Sequence, residues 1–76
     1  MENEFLEKFK EALEIEDRDL NLSDKFREYE EWDSLAFLSV IAMIDEEYDV
    51  LIEGKDFKKL QTIGDVWNAI KERQNK

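Results

Sequence analysis

The sequence predicts an all-α fold, a small bundle of three principal helices plus one short helix. Three observations carry that prediction. The run from Leu35 to Ile44 holds ten residues with one polar member, too long for an ordinary buried strand, and Asp33 precedes it as an N-cap. Near the start, Phe5, Leu6, Phe9, Ala12 and Leu13 recur at three- and four-residue spacing among charged residues. Near the end, Thr62 stands three residues before Asp65, an imperfect capping box, ahead of a stripe of Ile63, Val66, Trp67 and Ile70. No proline interrupts any of these stretches.

In chain order, the first helix is expected over residues 3–14, with its Phe stripe turned to the core. Glu4 with Lys8 and Glu7 with Glu11 give one favourable and one unfavourable pair, so charge adds little to it. Residues 15–32 show no sustained period. Ile15, Leu20, Leu22, Phe26, Tyr29 and Trp32 are scattered among acids, which predicts a long loop pinned to the core by apolar anchors. The second helix is predicted from Ser34 to Tyr48. Leu35, Leu38, Ile41, Ala42 and Tyr48 form one face of it, and Ala36, Phe37, Val40, Met43 and Ile44 extend beyond that face. A helix apolar on most sides is either deeply buried or offers a spare face to a partner, and a chain this short has difficulty burying all of it. Val50-Leu51-Ile52 is too short for an independent strand. Gly54 predicts a turn and Asp56 to Leu60 one short helical turn. The last helix opens at Thr62-Ile63, with Lys71, Arg73 and Lys76 near its end, where they suit the helix dipole.

Seventy-six residues imply one domain, spanning 1–76, and one core. A chain of this size buries only about 60% of the surface its unfolded form exposes, so its stability is expected to be marginal. Without Cys or His there is no disulfide, thiolate or imidazole metal site, and no His-based triad. No pair among Asp, Glu, Lys, Tyr and Ser stands out for catalysis. No apolar run reaches the roughly 18 residues of a membrane span, and the acidic opening Met1-Glu2-Asn3-Glu4 is unlike a signal peptide. A soluble, untargeted, cytoplasmic monomer is the expectation.

The net charge of −10 is unevenly spread. Residues 14–49 hold thirteen acids and three bases, whereas residues 50–76 hold four acids and six bases. Such a middle section repels nucleic acid and anionic membranes and attracts basic protein surfaces. One motif within it is a decoy. Asp17, Asp19, Asn21, Ser23, Lys25 and Glu28 fall at the ligand spacing of a calcium loop, but Leu22 stands where that loop requires Gly. No metal site is therefore predicted.

Ser34 follows the cap, in the first turn, where its hydroxyl meets the positive end of the helix dipole beside unpaired N–H groups. Two readings are open on local grounds: a helix-starting serine, or a phosphate acceptor favoured by the same field. Asp33-Ser34-Leu35 near mid-chain, the apolar helix closing in Glu46-Glu47-Tyr48, and the final helix opening at Thr62-Ile63 together resemble an acyl carrier protein over nearly the full length. The resemblance implies a 4′-phosphopantetheine arm, drawn from coenzyme A by a phosphopantetheinyl transferase and esterified to Ser34. The thiol of that arm holds an acyl group as a thioester. Asp33 would cap the helix and be read by the transferase, and Leu35 would anchor the helix start. The acyl chain would be lined by Leu38, Val40, Ile41, Ile44 and Ile63. Such carriers have a loop with a short helical turn between their first two helices, for which Ser23-Asp24 is a fitting start.

The chain departs from the pattern in two places. The family usually has a Gly two residues before the Asp, where Glu31 stands here. Fatty-acid carriers usually place acids two and five residues after the serine, where this chain has Ala36 and Ser39. A specialised carrier is therefore expected, whose loading and transfer enzymes dock by basic or apolar patches. The surface expected for them is Ala36, Phe37, Ser39, Val40 and Met43, helped by Glu31, Glu46 and Glu47. The alternatives are an aminoacyl carrier of the D-alanyl type and an unmodified acidic helical interaction module.

Overall fold

A computed structural model describes residues 2–74; Lys76, expected near the last helix end, lies outside them. Four helices follow one another: α1 (Glu2–Ala12), α2 (Ser34–Tyr48), the single-turn α3 (Gly54–Phe57) and α4 (Ile63–Gln74). The three long ones pack on one another. Among the described residues there is no strand, only an isolated antiparallel bridge between Lys25 and Thr62.

The core follows the predicted stripes on α1 and α4. Phe5 and Phe9 are buried from α1 with Leu13 just past its end, and Ile63, Val66, Trp67, Ala69 and Ile70 from α4. Fully burying one such side chain is worth about 1.5–3 kcal/mol relative to leaving it exposed. At the far end of the bundle Phe5 stacks on Trp67 at 4.9 Å, and Tyr48 meets both rings edge-on. The first helix ends slightly earlier than expected, because the chain turns left-handed at Glu14 (φ 59°). There Ile15 N–H donates to Lys10 O and Glu14 N–H to Glu11 O, the paired closure of a Schellman motif.

The second helix has the predicted bounds but a different burial. Its buried stripe is Ala36, Val40 and Ile44, at i, i+4 and i+8. Of the residues grouped on one face from sequence, Leu35, Leu38 and Ala42 are exposed, and Ile41 and Tyr48 half-buried. Apolar residues occupy nine of the ten positions from Leu35 to Ile44, so their spacing carries no direction. Contact with α1 and α4 chooses the inward face.

The loop before α2 is pinned by Ile15, Leu20 and Phe26, all buried. Its helical turn comes later than Ser23-Asp24, as a 3-10 turn over Phe26–Glu28. Asp24 is otherwise engaged: its carboxylate accepts from Asn21 N–H (3.0 Å) and Tyr29 O–H (2.7 Å). Helix α3 comes earlier than expected and includes Gly54. Glu53 O accepts from Asp56 N–H and Phe57 N–H, and this turn delivers Phe57 to the core. Arg27 from the 3-10 turn closes its C-terminal end, donating from Nη2 to Phe57 O (2.7 Å) and from Nε to Leu60 O (3.1 Å).

Candidate functional site at the start of α2

Asp33 is extended (φ −153°, ψ −170°), as an N-cap must be, and its Oδ1 accepts from Ala36 N–H at 2.8 Å. Its carbonyl accepts from Phe37 N–H at 3.0 Å. Ser34 is therefore the first helical residue, and it is exposed. Among the described residues neither its Oγ nor the backbone N–H of Ser34 or Leu35 finds a partner. A nucleophilic hydroxyl and two unpaired N–H groups thus share the positive end of a fifteen-residue helix.

Two clefts meet at Asp33. One, of about 470 Å³, is lined by Ser34 and floored by the rings of Trp32, Phe37 and Phe57, with Arg27 and Lys58 at its rim. Trp32 lies parallel to Phe57 (7°, 6.0 Å between centroids), and Phe37 meets Phe57 edge-on at 5.2 Å. The other, of about 500 Å³, runs between α1 and α2, and Glu11, Glu14, Glu31 and Asp33 line it with no basic residue. Glu31 and Glu47, two of the acids expected to help partners dock, are both paired. Arg18 grips Glu31 through two nitrogens (2.8 and 3.1 Å) and holds its carboxyl below the usual carboxylate range. Glu47 pairs with Lys8 at 2.9 Å, in place of the Glu4 contact expected for that lysine.

The predicted site residues divide clearly. Asp33 caps, and Ser34 is presented to solvent. Leu35 does not anchor the helix start, being 74% exposed. In the expected docking set, Ser39 and Glu46 are exposed and Phe37 and Met43 half-buried, but Ala36 and Val40 are core residues and cannot meet a partner. In the expected acyl lining, Val40, Ile44 and Ile63 are core and Ile41 borders it, while Leu38 is 59% exposed and lies outside. Sequence reasoning missed the aromatic cleft and its cations. Trp32 and Phe57 are 25 positions apart, and only the fold stacks them. Among the described residues no three acids gather to hold a metal ion. The acids of the calcium-like loop face separate partners: Asp17 meets Arg18, Asp19 meets Lys10, and Asp24 meets Tyr29.

Residues 3–70 match the family described as phosphopantetheine attachment site. The chain is 36% identical over 62 residues to an acyl carrier protein of Chlamydia felis (strain Fe/C-56), covering 82% of this chain and 80% of that protein. Its fold is similar to the solution structure of a holo acyl carrier protein from Geobacter metallireducens. The TM-score is 0.79 at 17% identity, over 96% of this chain and 86% of the other. This chain belongs to the phosphopantetheine-bearing acyl carrier proteins, which are carriers and not enzymes.

Proposed function

We propose that Ser34 is the attachment point of the 4′-phosphopantetheine arm and that the chain serves a specialised pathway in the cytoplasm rather than general fatty-acid synthesis. The observation that carries the attachment is the Ser34 hydroxyl, exposed at the open start of α2 with no competing hydrogen bond among the described residues. The residues suit such a group. The unpaired N–H groups of Ser34 and Leu35 would hold a phosphate esterified there, and an apolar cleft begins at the same serine. The arm brings a terminal thiol, which a polypeptide without cysteine lacks. Asp33 keeps α2 beginning at Ser34, so the hydroxyl stays at the helix start.

The specialised role rests on the solvent side of α2. Leu35, Leu38 and Ala42 make it apolar, and Ser39 stands where fatty-acid carriers usually place an acid. Loading and transfer enzymes dock there on Leu35, Leu38, Ser39 and Met43, with Glu46 at the edge attracting basic groups. Val40, Ile41, Ile44 and Ile63 supply the interior that an acyl chain enters. The test is intact mass after incubation with a broad-specificity phosphopantetheinyl transferase and coenzyme A. One arm is expected on the native chain and none on Ser34→Ala, whose stability stays within about 0.5 kcal/mol of the parent. A folded native chain that gains no mass refutes the attachment and leaves an unmodified interaction module. Loading by an aminoacyl ligase in preference to acyl-transfer enzymes would replace the acyl cargo with an aminoacyl one.

A further inference from the structure

The two clefts that meet at Asp33 have opposite electrical character. The α1/α2 cleft presents Glu11, Glu14 and Glu31 besides Asp33. The cleft that Ser34 lines presents Arg27 and Lys58, and Asp33 is the one carboxylate on its wall, with Oδ1 turned to Ala36 N–H. Neither cation forms an ion pair with a carboxylate among the described residues. Arg27 is held by two backbone carbonyls and lies 5.1 Å from the Phe26 ring and 5.6 Å from the Phe57 ring, so its charge is fixed in place. Lys58 is exposed. In a chain of net charge −10, two unneutralised cations over an aromatic floor, beside the one serine at an open helix start, make a cleft complementary to an anion with an apolar body.

From this the geometry points to a docking site for the arm itself. The phosphopantetheine arm lies in the Trp32–Phe37–Phe57 cleft with an anionic group against Lys58 and Arg27, rather than extending freely into solvent. This inference rests on Ser34 as the attachment point. Glu11 and Glu14, which of these two clefts line only the opposite one and pair with no cation among the described residues, repel the same anion, so the arm is directed to one side of α2. Two anions fit the chemistry: the phosphodiester of the arm, or a carboxylate on the group it carries.

The experiment is solution NMR of the holo chain in three forms: free thiol, acetyl-loaded and malonyl-loaded, each alongside Lys58→Glu, with intact mass confirming one arm throughout. Nuclear Overhauser contacts are read between the geminal methyls of the arm and the rings of Trp32 and Phe37. Contacts in all three forms, weakened several-fold by Lys58→Glu, identify the phosphodiester as the bound anion. Contacts confined to the malonyl form and lost in Lys58→Glu identify the carboxylate. An arm without ring contacts in any form, or contacts that Lys58→Glu leaves unchanged, overturns the inference while leaving Ser34 as the attachment point. A chain that accepts no arm refutes the reading of Ser34, and this inference with it. Because Lys58 is exposed, the variant keeps the amide spectrum of the core, whereas Arg27, which holds Phe57 and Leu60, is left intact.

Discussion

The helix starts at Ser34 and at Ile63 are built in opposite ways. At α4 every early N–H is engaged. Ile63 N–H donates to Asp24 O, Gly64 N–H to Leu22 O at 2.7 Å, Asp65 N–H to Thr62 Oγ1, and Val66 N–H to Thr62 O. The Asp65 carboxylate reaches back to accept from Gln61 and Thr62 N–H, both at 3.1 Å. At α2, Asp33 serves Ala36 and Phe37, and the N–H groups of Ser34 and Leu35 stay open among the described residues. The difference teaches what each end is for. The long loop folds onto α4 and spends its carbonyls there, and that closure holds the loop while α2 begins in the open. Unpaired N–H groups are tolerable only where solvent or a ligand can reach them.

The strongest break of this contrast is Phe26→Ala. Phe26 is fully buried and anchors the loop that supplies Leu22 O and Asp24 O to α4. Its loss is expected to cost about 3–5 kcal/mol in urea unfolding, enough to threaten a fold of marginal stability. Next is Gly64→Val. A Cβ at Gly64 comes within 3.0 Å of Leu22 O, an atom already tied to the Gly64 N–H, so the loop and helix must part. About 1–3 kcal/mol is expected, with arm attachment at the proposed site, Ser34, retained once the chain is folded.

At the open end the effects are smaller and separable. Asp33→Ala removes a cap and is expected to lower stability by about 1 kcal/mol, whereas Asp33→Asn, an equally good cap, should leave it nearly unchanged. If Asp33→Asn still slows arm attachment, the transferase reads the charge; equal attachment rates would reduce Asp33 to a cap. The smallest effect is a pH response of the sealed end. The backbone N–H groups of Thr62 and Gln61 hold the Asp65 carboxyl below its usual 3.8. Its folded value is thus depressed, so its contribution is complete above the unfolded value and is lost as pH falls through the folded one. Thermal melts of the parent should therefore lose stability below about pH 4 more steeply than those of Asp65→Ala. Parallel curves would show that the carboxylate does not secure α4.

How far the site was legible depends on whether each feature is local. Asp33 as cap, Ser34 as first helical residue, and the Thr62–Asp65 box each involve groups within three or four positions, and the residue types state their bonds. Leu35 and Leu38 were misread for the opposite reason. Their burial depends on which face of the Leu35–Ile44 run meets α1 and α4, and a run with one polar residue does not mark that face. Likewise Ser23-Asp24 had the local character of a helix start. The turn formed later, because Asp24 is drawn to Tyr29 and Phe26 must enter the core.

The sequence by itself determined the helical class, the bounds of α2, the amphipathic stripes of α1 and α4, the family resemblance and the placement of Ser34 at a helix start. These depend on period, capping chemistry and composition, which act over one or two turns. Only the tertiary structure decided that Ala36 and Val40 are core rather than docking surface, and that Leu35 and Leu38 face solvent. It alone brought Trp32, Phe37 and Phe57 together beside Ser34, with Arg27 and Lys58 at the rim. Such long-range juxtapositions arise when apolar side chains distant in sequence bury one another, and hydrophobic attraction has no direction of its own until the packing partners are in place.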